Sequence, residues 1–150
     1  MTFKEKMAWV NVVVSVAVAV AYFTIVGRRL DGGPVGDVAY QWPLIIAIVV
    51  SIGSMIIGAI VVSIGTAIRA EITGEGSVKD IDRADERDTH IDRRGELFGY
   101  YVTSVGVLLA LVLAVLRQDQ FWIANALYLF MLIGSVVSST AKIVIYRRGF

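Results

Sequence analysis

His90 is the chain's single histidine, and it follows Asp82 and Glu86 at successive intervals of four residues. Residues so spaced lie above one another on a helix. An acid–acid–histidine ladder of this kind could grip a divalent cation, or His90 could serve as a general base. Both chemistries are thinly supplied. There is no cysteine, and no second histidine completes a metal set. Around His90 the sequence offers neither a nucleophile nor an oxyanion donor. The sequence therefore points to a protein that is not an enzyme, with no cofactor and only Asp82, Glu86 and His90 as weak metal candidates. Without cysteines, thiolate and disulfide chemistry are excluded.

That ladder lies in a strongly charged stretch, Glu71–Glu96, set among four apolar segments: Met7–Val26, Pro43–Ile68, Leu97–Leu116 and Phe121–Tyr146. A helix of about 20 apolar residues is roughly 30 Å long, which matches the hydrocarbon core of a bilayer. With 57% hydrophobic residues in 150, the chain reads as a single membrane domain. The expected fold is all-α, a polytopic four-transmembrane-helix bundle. Met1–Lys6 and the apolar run after it resemble a secretory signal, but the run exceeds the usual 7–15 residues of a signal core. It reads as a retained first helix. The net charge of +1 gives no basic signal for direct nucleic-acid binding.

Lys and Arg set the orientation. Four spans place Lys4, Lys6, Arg69, Lys79, Arg83, Arg87, Arg93, Arg94, Lys142, Arg147 and Arg148 on one side, against Arg28, Arg29 and Arg117 on the other. Eleven against three predicts that both termini are cytoplasmic. Trp9, Tyr40, Trp42, Trp122 and Tyr146 near span ends fit interfacial aromatic belts.

The two halves of the chain look alike. Each has a shorter and a longer span, and the longer one carries Ile-Gly-Ser, at 52–54 and again at 133–135. Glu5 and Glu96 precede the shorter spans, each with an aromatic four residues on, Trp9 and Tyr100. This predicts two tandem helical hairpins related by a pseudo-twofold axis along the membrane normal. Arg117–Gln120 leaves room only for a tight hairpin, whereas the turn-rich segment 28–37 reads as a surface connector.

No charged residue stands in the middle of a span; Lys142 comes closest and can snorkel to headgroups. Proton-coupled exporters keep a buried mid-membrane carboxylate, so that class is disfavoured. Asn11 and Asn125 read as interhelical hydrogen bonders. In lipid, helices associate through close backbone approach at small residues. Ala47, Ser51, Ser54, Gly58 and Gly65 in the second span are expected to pack against other helices, as are Gly134, Ser138 and Ala141 in the fourth. Gly95 and Gly99 form a small-xxx-small pair where the third span begins.

Thr73-Gly74-Glu75-Gly76-Ser77 breaks the second helix, and Ser77 can cap a new one. A charged cytoplasmic helix over 78–96 is expected to run directly into the third span, with a bend near Gly95. At 100° per residue, Lys79, Arg83, Arg87, His90 and Arg94 form a basic stripe. Asp85, Asp88, Asp92 and Glu96 form an acidic one, with Ile81, Ala84, Ile91 and Gly95 between them. Neighbours at i,i+4 are mostly like-charged, which costs about 0.2–0.5 kcal/mol each on an isolated helix. Such a helix gains only by lying against complementary charge. Arg83, Asp85, Arg87, Asp88, Ile91, Asp92, Arg94 and Glu96 are therefore the expected partner-binding surface. A homo-oligomer, favouring a dimer, and a cytoplasmic regulatory protein are the expected partners beside the lipid bilayer. A basic face resting on anionic headgroups is the plainer alternative.

The segment Asp85-Glu86-Arg87-Asp88-Thr89-His90-Ile91-Asp92-Arg93-Arg94-Gly95-Glu96, with Gly99-Tyr100-Tyr101 after it, resembles the signature of an uncharacterised family of small bacterial four-span inner-membrane proteins. There, Asp-Glu-Arg followed four residues on by Ile precedes the third span. Phe3-Lys4-Glu5-Lys6-Met7-Ala8-Trp9 and Tyr146-Arg147-Arg148-Gly149 fit the same pattern. Some members of the family are encoded beside small helix-turn-helix regulators, so the resemblance implies a membrane-bound regulatory partner, and it carries over no catalytic residues. The expectation is a non-enzymatic interaction or regulatory component; the alternative is a small transporter or pore subunit for an uncharged or hydrophobic solute, with a path lined by Ser51, Ser54 and Gly58.

Overall fold

A computed structural model describes residues 3–30, 34–73 and 86–148. Four helices carry the chain: α1 (Phe3–Arg29), α2 (Gln41–Thr73), α3 (Glu86–Val115) and α4 (Gln120–Arg148), with a 3₁₀ turn at Val35–Asp37. Each helix contains a stretch long and apolar enough to cross a bilayer. The protein is an all-α four-helix bundle of the membrane-spanning kind. Pro43 falls in the first turn of α2, where its missing N–H breaks no helical bond. Helix α3 continues unbroken through Gly95 from its charged turns into its apolar ones. Residues 78–85 of the expected charged helix lie outside the described residues.

The packed pairs are α3 with α4, α4 with α1, and α1 with α2. The helices therefore run in the order α2–α1–α4–α3, and α2 and α3 do not form a packed pair among the described residues. Both expected hairpins exist. A closed twofold arrangement, however, would pack α2 on α3 as it packs α1 on α4, and among the described residues only α1 and α4 form such a packed pair. Ile-rich α2 consequently shows apolar side chains on most of its circumference, Ile57 (63% exposed) and Val61 (62% exposed) among them. In lipid such exposure carries no penalty, because acyl chains are as apolar as the side chains.

Contact between α3 and α4 rests on small residues. A Cβ at Gly99 would lie 2.7 Å from the Gly134 carbonyl oxygen and 2.9 Å from Ser138 Cβ, and one at Gly95 would strike Lys142 and Ser138. Only a hydrogen fits at these positions. The α3–α4 turn is equally tight: Gln118 N–H donates to the Leu113 carbonyl and Arg117 N–H to the Ala114 carbonyl, both at 3.0 Å. This double bond pattern closes a helix with its C′ residue left-handed. Arg117 holds that position at φ 53°, where glycine is usual. On the other hairpin, Gly58 faces Val10 of α1, whereas Gly53 and Gly65 of α2 meet nothing within 4 Å. Gly65 thus departs from the packing stripe expected for α2.

At the end of the bundle holding both interhelical turns, the core is aromatic. Tyr22, Phe121, Tyr128 and Leu132 are buried together with Val38 and Tyr40. Tyr40 meets Phe121 edge to face, ring centroids 5.3 Å apart. Arg29 donates to the Ala39 carbonyl. Residues 34–40 are therefore not a plain surface connector. They fold back as a cap, because Val38 and Tyr40 have an apolar recess to fill above α4.

Candidate functional site

At the opposite end, where α1 begins and α4 finishes, the charged turns of α3 meet the rest of the chain. Ile91 is fully buried and Gly95 is buried beside it, so this is the inward side of α3. Asp88 and Asp92, within two turns of Gly95, share that side. Lys4 Nζ of α1 lies 2.7 Å from Asp92 Oδ2, and Lys142 Nζ of α4 lies 3.3 Å from Asp92 Oδ1. Lys142 also reaches Glu96 Oε1 at 3.5 Å. Tyr146 donates to Asp88 Oδ1 at 2.9 Å. Across the same end, Arg147 pairs with buried Glu5 at 3.5 Å and lies over the Trp9 ring.

The acidic stripe of α3 is thus met within the chain, by α1 and α4. Like charges at i,i+4 destabilise a helix standing alone, but here Asp92 and Glu96 face the ammonium groups of Lys4 and Lys142, and Asp88 accepts from Tyr146. For Asp88, Ile91 and Asp92 this corrects the expected partner surface: they are engaged or buried inside the molecule. Lys142, the cation deepest in a span, turns to Asp92 at this charged end. Glu96 keeps most of its side chain exposed (71%). Arg83 and Asp85 lie outside the described residues, as do the side chains of Glu86 and Arg87. Arg94 is exposed on the helix flank. His90 is exposed too, and Asp82, its ladder partner, lies outside the described residues. Among the described residues no three of His, Cys, Asp and Glu gather as a metal-holding group.

Beneath the ion pairs runs a buried polar clamp. Asn11 Nδ2 donates to Ser139 Oγ at 2.7 Å and to Ser135 Oγ at 2.9 Å, and Ser15 Oγ donates back to Asn11 Oδ1 at 3.2 Å. A second clamp joins the same two helices near the other end, where Tyr22 Oη donates to Asn125 Oδ1 at 2.8 Å. Both Asn residues act as interhelical bonders. Tyr128 Oη, close by, is buried with no partner at hydrogen-bonding geometry, although the Ser51 side chain of α2 is near enough to influence it. The Ser51 hydroxyl donates to the Ala47 carbonyl of its own helix, and Ser54 is half-buried.

A cavity of about 230 Å³ opens between the ion pairs and the Asn11 clamp, and all four helices line it: Lys4 and Asn11 of α1, Met55 of α2, Asp92 of α3, Ser139 and Lys142 of α4. Sequence reasoning missed Lys4 and Tyr146 as partners of the acidic stripe. The signal was present: Lys4, Asp92 and Lys142 all sit within about two turns of a span edge on the same side. No protein-family model, curated protein or solved structure matches the chain. Its class is set by its own geometry alone: a four-helix membrane-spanning bundle with one end braced by ion pairs.

Proposed function

We propose that the protein is a non-enzymatic, multi-pass component of a bacterial inner membrane, both termini cytoplasmic, that docks an acidic partner protein on the outward face of α3. One observation carries this reading: Asp92 is clamped between Lys4 and Lys142. That clamp turns the acidic side of α3 inward and leaves His90, Arg93, Leu97, Tyr100 and Tyr101 exposed on the opposite side. Arg and Tyr are the side chains most enriched where proteins bind proteins. The ion pairs also hold α3 in a fixed attitude, so the face is preorganised, which lowers the cost of ordering on binding. A self-complementary dimer through α3 needs both stripes free, and the acidic one is engaged within the chain. An acidic partner fits the remaining face better than a second copy does. Tyr22, Phe121, Tyr128 and Leu132 fill the far half of the bundle, which weighs against a conduction path through one chain.

A photo-crosslinking side chain placed at Tyr101 or His90 in native membranes tests the reading. The expected result is an adduct with a second, different protein that disappears when Arg93 becomes Glu. Adducts to lipid alone, or to another copy of the chain alone, would reject it.

A further inference from the structure

The cavity at the charged end has features that neither the brace nor the docking face explains. It draws residues from all four helices although α2 and α3 are not a packed pair. Two ammonium groups, Lys4 and Lys142, share the single carboxylate of Asp92. Lys4, Lys142 and Asp92 together sum to one positive charge in a partly dehydrated site. Glu96 offsets it weakly, being 3.5 Å from Lys142 and mostly in solvent.

Donor capacity is also left over. An ammonium has three N–H groups. Lys4 commits one to Asp92, and Lys142 straddles two carboxylates at 3.3 and 3.5 Å, longer than the roughly 2.7–2.9 Å of a well-formed charged bond. Ser139 and Asn11 add polar groups on the floor, and Met7, Ala8 and Met55 supply an apolar wall. Lys142 stands six residues before the end of α4 at Arg148, about 9 Å along the helix axis at 1.5 Å per residue.

The geometry points to this cavity as a binding site for an anionic phosphate group, with Lys4 and Lys142 as its charged donors and Asp92 as the carboxylate that competes for them. Phosphate oxygens accept from both ammonium groups at once and neutralise the surplus charge. Adjacent Met7 and Met55 accommodate the flexible portion of a lipid, since methionine fills irregular apolar space readily. The phosphate can come from an acidic phospholipid headgroup or from a soluble phosphate, and the two sources separate by experiment. The site shares Lys4, Lys142 and Asp92 with the brace that supports the proposed docking reading, but it uses none of the side chains on the outward face of α3.

The test uses the full chain. Native mass spectrometry after exchange into equal amounts of phosphatidylglycerol and phosphatidylcholine reads which lipid stays bound. In parallel, inorganic phosphate is titrated onto the protein in phosphatidylcholine nanodiscs, with thermal unfolding as readout. The expected result is one retained phosphatidylglycerol, or, for a soluble source, stabilisation by phosphate. Lys4→Gln and Lys142→Gln should each weaken binding about tenfold, the equivalent of one lost charged contact near 1.4 kcal/mol. Asp92→Asn should strengthen it, because a competitor for the ammonium groups becomes neutral; a merely structural role for Asp92 predicts no such gain. Equal retention of both lipids with no response to phosphate would overturn the proposal. So would selective binding that ignores all three substitutions.

Discussion

Lys4 of α1 and Asp92 of α3, 88 positions apart in the chain, meet at 2.7 Å. Neither helix packs extensively on the other; both flank α4, and α4 contributes Lys142 to the same carboxylate. The contact therefore ties the first and third helices across the end of the bundle. It also gives the sorted charges of α3 a physical reason.

Removing that carboxylate leaves two ammonium groups facing each other. Asp92→Ala should destabilise the protein by about 1–3 kcal/mol, since a charged hydrogen bond is lost and like charges are left in proximity. Thermal unfolding in detergent, at low and at high salt, checks this. The loss should shrink as salt screens the lysines.

Glycine substitutions should divide sharply by position. Gly99→Ala puts a methyl 2.7 Å from the Gly134 carbonyl oxygen, so α3 and α4 must separate, at about 1–3 kcal/mol. Gly53→Ala and Gly65→Ala meet nothing within 4 Å. They should be neutral or stabilise by up to about 1 kcal/mol, the helix-propensity difference between the two residues. Unfolding temperatures of the three variants decide it.

Tyr22 and Tyr128, both buried, should behave oppositely. Tyr22→Phe removes the bond to Asn125 and should cost about 0.6–1.7 kcal/mol, the range for interhelical bonds in membranes. Tyr128→Phe removes a buried hydroxyl that has no partner, so it should be neutral or slightly stabilising. A double-mutant cycle of Tyr22→Phe with Asn125→Ala should show coupling, and one of Tyr128→Phe with Asn125→Ala should show none.

Arg117 should tolerate replacement well. It holds a left-handed φ of 53° that closes α3, a conformation costing an L-residue about 1–2 kcal/mol. Arg117→Gly relieves that cost and should raise the unfolding temperature despite the greater freedom glycine has in the unfolded chain.

The four helices were legible in the sequence because lipid imposes one rule on each: every backbone group must bond within the segment, under an apolar exterior. Asn11 and Asn125 were legible for the same reason, since a carboxamide in hydrocarbon needs a partner on another helix. Neighbour relations were not. Internal similarity suggested a twofold arrangement, but no residue pattern announces that α1 packs on α4 while α2 and α3 form no packed pair among the described residues. The acidic stripe of α3 showed that complementary charge was required, without saying whose. Lys4 and Lys142 belong to helices whose sequence distance from Asp92 hides their common depth. Val38 and Tyr40 were hidden among turn residues, although two large side chains in a capping segment have reason to seek the core.

Charge reversal at the brace tests the central claim most directly. With Asp92→Lys, unfolding temperature should fall by several degrees, and adding Lys4→Glu and Lys142→Glu in the same chain should restore it. If Asp92→Lys instead leaves the unfolding temperature unchanged, alters the particle's mass, and is rescued by Arg83→Glu with Arg87→Glu, the acidic face of α3 serves a second molecule and the in-chain brace is wrong.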